Sequence, residues 1–371
     1  MISMLSTLTE RKKTLLIILF AFTLYFPLTF LGYGTDCDSE SVMKTAKRIA
    51  ENDRYIPSRL PGYFVHEFST AILFKLGGSF LSNVGTMFMS LLTIYFFIQI
   101  CQYHDIPHKY LLALFLILHP LYWVNSTCTI DYMWALALLF AGYMFLKKKN
   151  YVLAGILTGL SVGTRLSSVV FVVALLTSYV LAREPDKDKV IFSVIISVMV
   201  GAVLYLPSFV YVGGNLKFLT YDMGQMNWFG RAARFVYKNI YFLGLQTFVA
   251  LLFTVPFIVR GFKQNYKDYK NILIFSLLII AGFEAMYLKL PLEMTYLLPM
   301  LPFVLILLGI CLKNNIKAII FLLVVQFSYN FININVARPD VPNFATSATL
   351  GLWLEWGRLV TDIINRLSML N

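Results

Sequence analysis

Ten apolar runs, separated by short polar stretches, organise the chain: 14–33, 84–101, 110–124, 132–146, 151–181, 190–212, 236–259, 272–288, 296–312 and 318 to about 331. A helix needs roughly 20 residues to cross the hydrocarbon of a bilayer, fewer where flanking side chains snorkel. Most of these runs therefore read as single spanning helices. The run 151–181 does not. Lys147, Lys148 and Lys149 precede it and Arg183, Lys187 and Lys189 follow it, and the positive-inside bias assigns both flanks to the cytoplasmic side. One crossing cannot satisfy both, so the run divides into a hairpin of two short helices, turning near Gly163, Thr164 and Arg165. An arginine at such a tip requires a wet cavity or an anionic partner. The expected architecture is an all-α polytopic membrane protein with about eleven transmembrane helices.

Charge sets the orientation. Arg11, Lys12 and Lys13 hold the start of the chain in the cytoplasm, so the first run exits and the acidic cluster Asp36, Asp38 and Glu40 emerges outside. The basic loops 104–109, 147–149, 183–189, 260–270 and 313–317 then all fall inside. Between the acidic cluster and residue 84 the pattern changes. Residues 41–52 set Val42, Met43, Ala46, Ile49 and Ala50 against Lys44, Lys47, Arg48 and Glu51, the mark of an interfacial amphipathic helix. Residues 61–76 form a second, with a stripe of Phe64, Phe68, Ile72 and Leu76; His66, Glu67 and Lys75 argue against a crossing there. Residues 350–370 place Trp353, Trp356, Leu359, Val360, Ile363, Ile364 and Leu367 opposite Glu355, Arg358 and Arg366, which predicts a helix lying along the outer surface. The chain thus divides into a transmembrane module, 1–335, and an extracytoplasmic tail, 336–371.

Composition agrees with this class: 58% of residues are hydrophobic, 13% are charged, and the mean hydropathy is +0.72. The net charge of +12 does not imply nucleic acid, because the lysines and arginines crowd into short loops where membrane topology accounts for them. Residues 1–13 and the run after them resemble a signal peptide, but the run has membrane-spanning length and no small-residue cleavage site follows it, so it reads as a retained helix. The four cysteines show no CxxC spacing, which removes zinc and thioredoxin-type centres. Cys37 and Cys128 fall on the same expected side, and both a disulfide and two free thiols stay open.

The outer side collects the chemistry: Asp36, Asp38, Arg59, His66 and Glu67 in the first loop, Asp131 in the second, Arg165 at the hairpin tip, and Asp222, Arg231, Arg234, Glu293 and Tyr296 later. Their arrangement resembles the integral-membrane glycosyltransferases of the GT-C class, in particular the polyprenyl-phosphate-sugar-using group that includes protein O-mannosyltransferases and the lipid A aminoarabinose transferase. Four stretches over about residues 14–310 carry the resemblance. Asp36-Cys37-Asp38-Ser39-Glu40 before an amphipathic helix is similar to the family's DE or DxD motif and first juxtamembrane helix. Ser58-Arg59-Leu60-Pro61-Gly62-Tyr63 through Phe74-Lys75-Leu76-Gly77 resembles its second juxtamembrane helix. Thr129-Ile130-Asp131, then Gly159-Leu160 leading to Thr164-Arg165, resembles the second-loop aspartate and the G-L-x-x-x-T-K/R stretch. Glu293-Met294-Thr295-Tyr296-Leu297-Leu298-Pro299 resembles a late helix start.

The resemblance implies transfer of a sugar from a polyprenyl-phosphate donor to a glycan, lipid or protein acceptor, on the extracytoplasmic side of the membrane that the protein spans (the cytoplasmic membrane in a bacterium or archaeon). Such a reaction needs a base for the acceptor proton and positive charge for the departing phosphate. One of Asp38 and Asp36 is expected to be the general base; the other positions the acceptor or a divalent cation, whose use is open. A helix N-cap is the competing role for both. Arg165 is expected to grip the lipid phosphate with its guanidinium fork, with Arg59 assisting. Asp131, His66, Glu67, Glu293 and Tyr296 are candidate substrate contacts. The alternative function is a transporter or flippase of a lipid-linked sugar. It is disfavoured because transporters carry their polar sites on interrupted helices in duplicated halves, whereas these acids lie in loops and no duplication is visible.

Overall fold

The computed structural model describes residues 9–52, 55–182, 185–216, 228–339 and 348–369; Asp222, Arg183 and Arg54 lie outside them. The chain starts with α1 (Glu10–Tyr25), capped by the Thr9 hydroxyl and continued by a 3₁₀ turn, Phe26–Phe30. Next comes the amphipathic α2 (Cys37–Asn52). It begins four residues earlier than the apolar periodicity suggests, because Asp36 caps it: its Oδ1 accepts the Asp38 N–H at 2.9 Å. Asp38 and Glu40 then occupy the first turn, where the helix dipole favours carboxylates.

The long α3 (Phe64–Tyr103) is two limbs joined at Gly77 and Gly78. Gly78 has φ +58, a conformation that side chains disfavour, and it turns the juxtamembrane limb into the spanning one. The separate helices read at 61–76 and 84–101 are these limbs. The run 110–124 likewise appears as α4 (Lys109–Leu118) and α5 (Pro120–Asn125), broken where Pro120 lacks the N–H to continue the ladder.

After α6 (Tyr132–Lys147) the expected hairpin is present as α7 (Tyr151–Thr164), an extended Arg165, a 3₁₀ turn (Leu166–Ser168) and α8 (Val169–Ala182). α7 packs between α6 and α9 (Lys187–Tyr211). Gly155, Gly159 and Gly163 make this close approach possible: a Cβ on Gly159 would lie 2.8 Å from the Ser197 carbonyl oxygen. A small-xxx-small face of this kind is how helices approach within a bilayer, and here it fixes the height of Arg165.

The run 236–259 departs from expectation. Gly244, at φ +82, divides it into an amphipathic α10 (Trp228–Leu243) and a spanning α11 (Leu245–Asn265). α12 (Lys270–Lys289), a 3₁₀ segment (Met294–Met300), α13 (Leu301–Cys311) and α14 (Ile316–Ser328) complete the bundle. Phe140, Tyr143, Phe171, Phe275 and Phe303 pack edge to face, with Tyr143 and Phe275 stacked, where α6, α8, α12 and α13 meet. Among the described residues six helices are long and apolar enough to cross a membrane, and five more apolar helices are shorter. The protein is an integral membrane protein of polytopic helical fold.

The tail corrects the reading of 350–370 as one surface helix. Residues Ala348–Trp356 form strand β2, paired antiparallel with β1 (Ile332–Pro339), and only Arg358–Ser368 is helical, α15. Leu350, Leu352, Leu354 and Trp356 alternate with period two, and this outweighs the helical spacing of Trp353, Trp356 and Leu359. Arg366 is not on a solvated face but fully buried. Among the described residues all four cysteines are free, so Cys37 and Cys128 do not pair.

Candidate active site

Three segments distant in sequence are tied together beneath the acidic cluster. Thr129 donates its backbone N–H to Tyr33 O at 2.8 Å and its hydroxyl to Asn83 Oδ1 at 3.0 Å. The Asn83 amide in turn donates to Thr29 O and Gly32 O, at 2.9 and 2.6 Å. Arg366 reaches in from α15 and donates to Leu28 O, Leu31 O, Thr127 O and the Thr127 hydroxyl, all at 2.8–3.1 Å. Beside it, Asp362 accepts the Thr35 hydroxyl at 3.2 Å. The loop bearing Asp131 is thereby registered against the loop bearing Asp36 and Asp38. Neither sequence pattern nor spacing signals Arg366 in this role; its burial alone does.

Above this knot the charged groups form one continuous chain. Asp131, fully buried, accepts Arg165 Nη1 at 2.7 Å on one oxygen and Arg59 Nη2 at 3.0 Å on the other. Arg59 Nε then reaches Asp38 Oδ2 at 3.1 Å. Burial by itself would raise the Asp131 carboxyl, but Arg165 and Arg59 outweigh it and hold the group below its ordinary value. Asp38 goes the other way: burial raises it, more than its arginine partner lowers it. Tyrosines frame the cations. The Arg165 guanidinium carbon lies 3.8 Å from the Tyr132 ring centre and that of Arg59 4.0 Å from Tyr63, with Tyr296 5.6 Å from Arg165. Arg59 Nη1 is sealed from solvent with no partner among the described residues.

A second chain of donors leads outward from Arg165. Its Nη2 donates to the Tyr132 hydroxyl (2.9 Å), which donates to Thr295 (3.2 Å), which donates to Glu293 Oε2 (3.2 Å). Burial and the facing Asp36 and Asp38 push the Glu293 carboxyl up to about 7. Glu293 thus joins the first-loop acids, and Tyr296 borders the same space.

Two expected contacts lie beneath this space. Glu67 is fully buried and accepts Tyr55 OH (2.8 Å), Ser58 N–H (2.7 Å) and Tyr63 N–H (3.3 Å), so it shapes the loop that presents Arg59. His66 is equally buried, edge-on to Trp134 and 3.4 Å from the Thr70 hydroxyl. Asp36 spends one oxygen on the α2 cap, and Asp38 spends one on Arg59. Asp36, Cys37 and Asp38 bring possible metal-ligand atoms within 4.8 Å of one another. They fit a divalent cation poorly, because burial and the adjacent acids push the Cys37 thiol up to about 11 and Arg59 already holds Asp38.

The α10 helix adds a basic wall whose parts were visible in the sequence but not their convergence. Arg231, Arg234 and Lys238 recur along α10. Lys238 lies half-buried; burial and the fields of Arg234 and Arg358 hold its ammonium below the usual lysine value, and Glu293 acts against them. Arg231 Nε and Arg234 Nη1 are sealed from solvent without partners among the described residues. The Gly244 break, which turns half of an apolar run into an amphipathic helix, is what brings them here.

No family model matches the chain, and no curated protein matches it. Two solved structures do, both of ArnT from Cupriavidus metallidurans. The apo form has a TM-score of 0.58 at 14% identity and covers 81% of this chain; the form bound to undecaprenyl phosphate has 0.59 at 15% and covers 82%. The chain spans 59% and 61% of the length of those proteins. Over about four-fifths of its length, this chain has the fold of ArnT, a GT-C glycosyltransferase of the membrane.

Proposed function

We propose that the protein transfers a sugar from a polyprenyl-phosphate donor to an acceptor hydroxyl on the non-cytoplasmic side of the membrane. The observation that carries this reading is the chain Asp38–Arg59–Asp131–Arg165: a partly exposed carboxylate is held beside two fixed guanidiniums within a fold that, in ArnT, binds undecaprenyl phosphate. Asp38 takes the proton as the acceptor oxygen forms its bond to the anomeric carbon. The bond from that carbon to the phosphate oxygen breaks, and the lipid phosphate leaves with the electron pair. Arg59 and Arg165, with the α10 cations, stabilise its charge. Removing an acceptor proton at a positioned base contributes about 10²–10⁴-fold.

Incubation of the protein in nanodiscs with undecaprenyl-phosphate hexoses and pentoses, and with lipid, glycan and peptide acceptors, tests the reading. Release of undecaprenyl phosphate together with a glycosylated acceptor supports it. Movement of intact donor between leaflets, with no cleavage by any of these combinations, overturns it in favour of transport.

Glu293 gives the reaction a pH signature. Below about 7 it keeps its proton; above that value it adds a third negative charge beside Asp36 and Asp38 and repels the anionic donor. Turnover at subsaturating donor is expected to fall as pH rises through about 7, and Glu293→Gln is expected to flatten that limb. A variant that keeps the wild-type alkaline limb would exclude Glu293 as its source.

A further inference from the structure

The tail hairpin turns its apolar side outward. The register pairs Ile332 with Trp356 and Ile334 with Leu354, and residues opposite one another in an antiparallel pair share a face. Leu352 joins that face by alternation. Leu352, Leu354 and Trp356 are 78%, 75% and 69% exposed. The reverse face carries Asn333, Asn335, Trp353 and Glu355, and the hairpin is tied to the protein through it and through the edge of β1. Tyr237 OH donates to Asn335 Oδ1 (3.3 Å), Val336 N–H to the Tyr241 hydroxyl (2.7 Å), and Gln246 Nε2 to Ile332 O (2.7 Å). A hairpin folded to face water would present these faces the other way round.

Its neighbours continue the apolar surface. α14, which leads into β1, exposes Phe321, Val324 and Phe327 along the side that a spanning helix shows to hydrocarbon, and Phe331 and Ile332 extend that stripe into the strand. α10, on which the hairpin sits, exposes Trp228, Phe229 and Val236. We infer that the hairpin and α10 form an interfacial platform whose apolar face rests on the bilayer, at the boundary between headgroups and acyl chains, in the leaflet on the side of the acidic cluster. Continuity with the lipid-facing stripe of α14 identifies lipid as the occupant. The open edges of a two-stranded sheet limit its depth, since unpaired backbone groups are not tolerated in hydrocarbon, and tryptophan favours this boundary. The platform brings the basic residues of α10 to the level of lipid phosphates. The inference stands on the membrane fold and not on the transfer reaction.

The test places the environment-sensitive fluorophore NBD on Leu354→Cys in a Cys37→Ser background, the other three cysteines being buried. The protein is reconstituted in phosphatidylcholine–phosphatidylglycerol nanodiscs, with a Lys47→Cys label as the water-facing control. Quenching by a lipid nitroxide near the headgroup, stronger than by one at the chain end, with little quenching by iodide, is expected. Iodide quenching equal to that at the control overturns the inference. So does shielding from both quenchers accompanied by a second copy in the disc, which would make the face a protein interface. Leu352→Cys is read in parallel, so that misfolding of one variant does not leave the question undecided. Absence of transfer by the unsubstituted protein, with nitroxide quenching at Leu354→Cys intact, would count against the proposed function alone.

Discussion

Asp38→Asn is expected to lower transfer by about 10²–10⁴-fold, the usual contribution of a positioned proton acceptor, while the protein stays folded and still binds undecaprenyl phosphate. Asparagine keeps the shape and an oxygen for Arg59 Nε, now 3.1 Å from the carboxylate, but has no basicity to offer the acceptor. Arg59 also retains its contact to Asp131, so the substitution does not strand a buried cation. Release of undecaprenyl phosphate, measured alongside thermal unfolding, separates these effects. Asp36→Asn is expected to cost far less, because an asparagine oxygen accepts the Asp38 N–H as well as a carboxylate oxygen does. If the two variants lose activity in the reverse order, Asp36 is the base.

Asp131→Asn is expected to have the largest effect on stability. Arg165 is buried and Arg59 mostly so, and both point at the same carboxylate, whose own side chain is sealed from solvent. Removing one partner of a buried ion pair typically costs about 3–5 kcal/mol, because the remaining charge stays buried without compensation. Here a single change strips the shared countercharge from two cations. Thermal unfolding in nanodiscs should show the loss, and Asp131→Asn combined with Arg165→Met should be less destabilised than the two single variants added together. Strict additivity would mean that the two side chains do not act on each other.

Much of the bundle was legible in the pattern of apolar runs, because a bilayer imposes one length and one polarity on every crossing helix. The break at Arg165 was legible for the same reason: two basic flanks cannot belong to one traverse. The misses are local and have physical causes. Residues 236–259 look like one span because hydropathy averages across Gly244, whose left-handed backbone ends a helix without changing polarity. In the tail, period-two and helical spacings coexist, and the pairing partner that decides between them lies outside the window at Ile332–Pro339. The residue types of the site were all visible, but not their pairing. Arg59 and Asp131 stand 72 positions apart, and nothing in either neighbourhood says that one aspartate serves two arginines. Glu67 follows the same logic: a carboxylate at the membrane surface suggests ligand contact, whereas the fold buries it and uses it to shape the loop that presents Arg59.

The buried Arg366 also sets an order of assembly. Its acceptors lie at Leu28, Leu31 and Thr127, hundreds of positions earlier in the chain. During synthesis the early spans enter the membrane long before this side chain exists, and until α15 arrives the carbonyls it binds must turn to water. Insertion of the early spans and completion of this outer face are therefore separate events, and α15, which follows the other described helices in the chain, is the one that locks the first loop against the second.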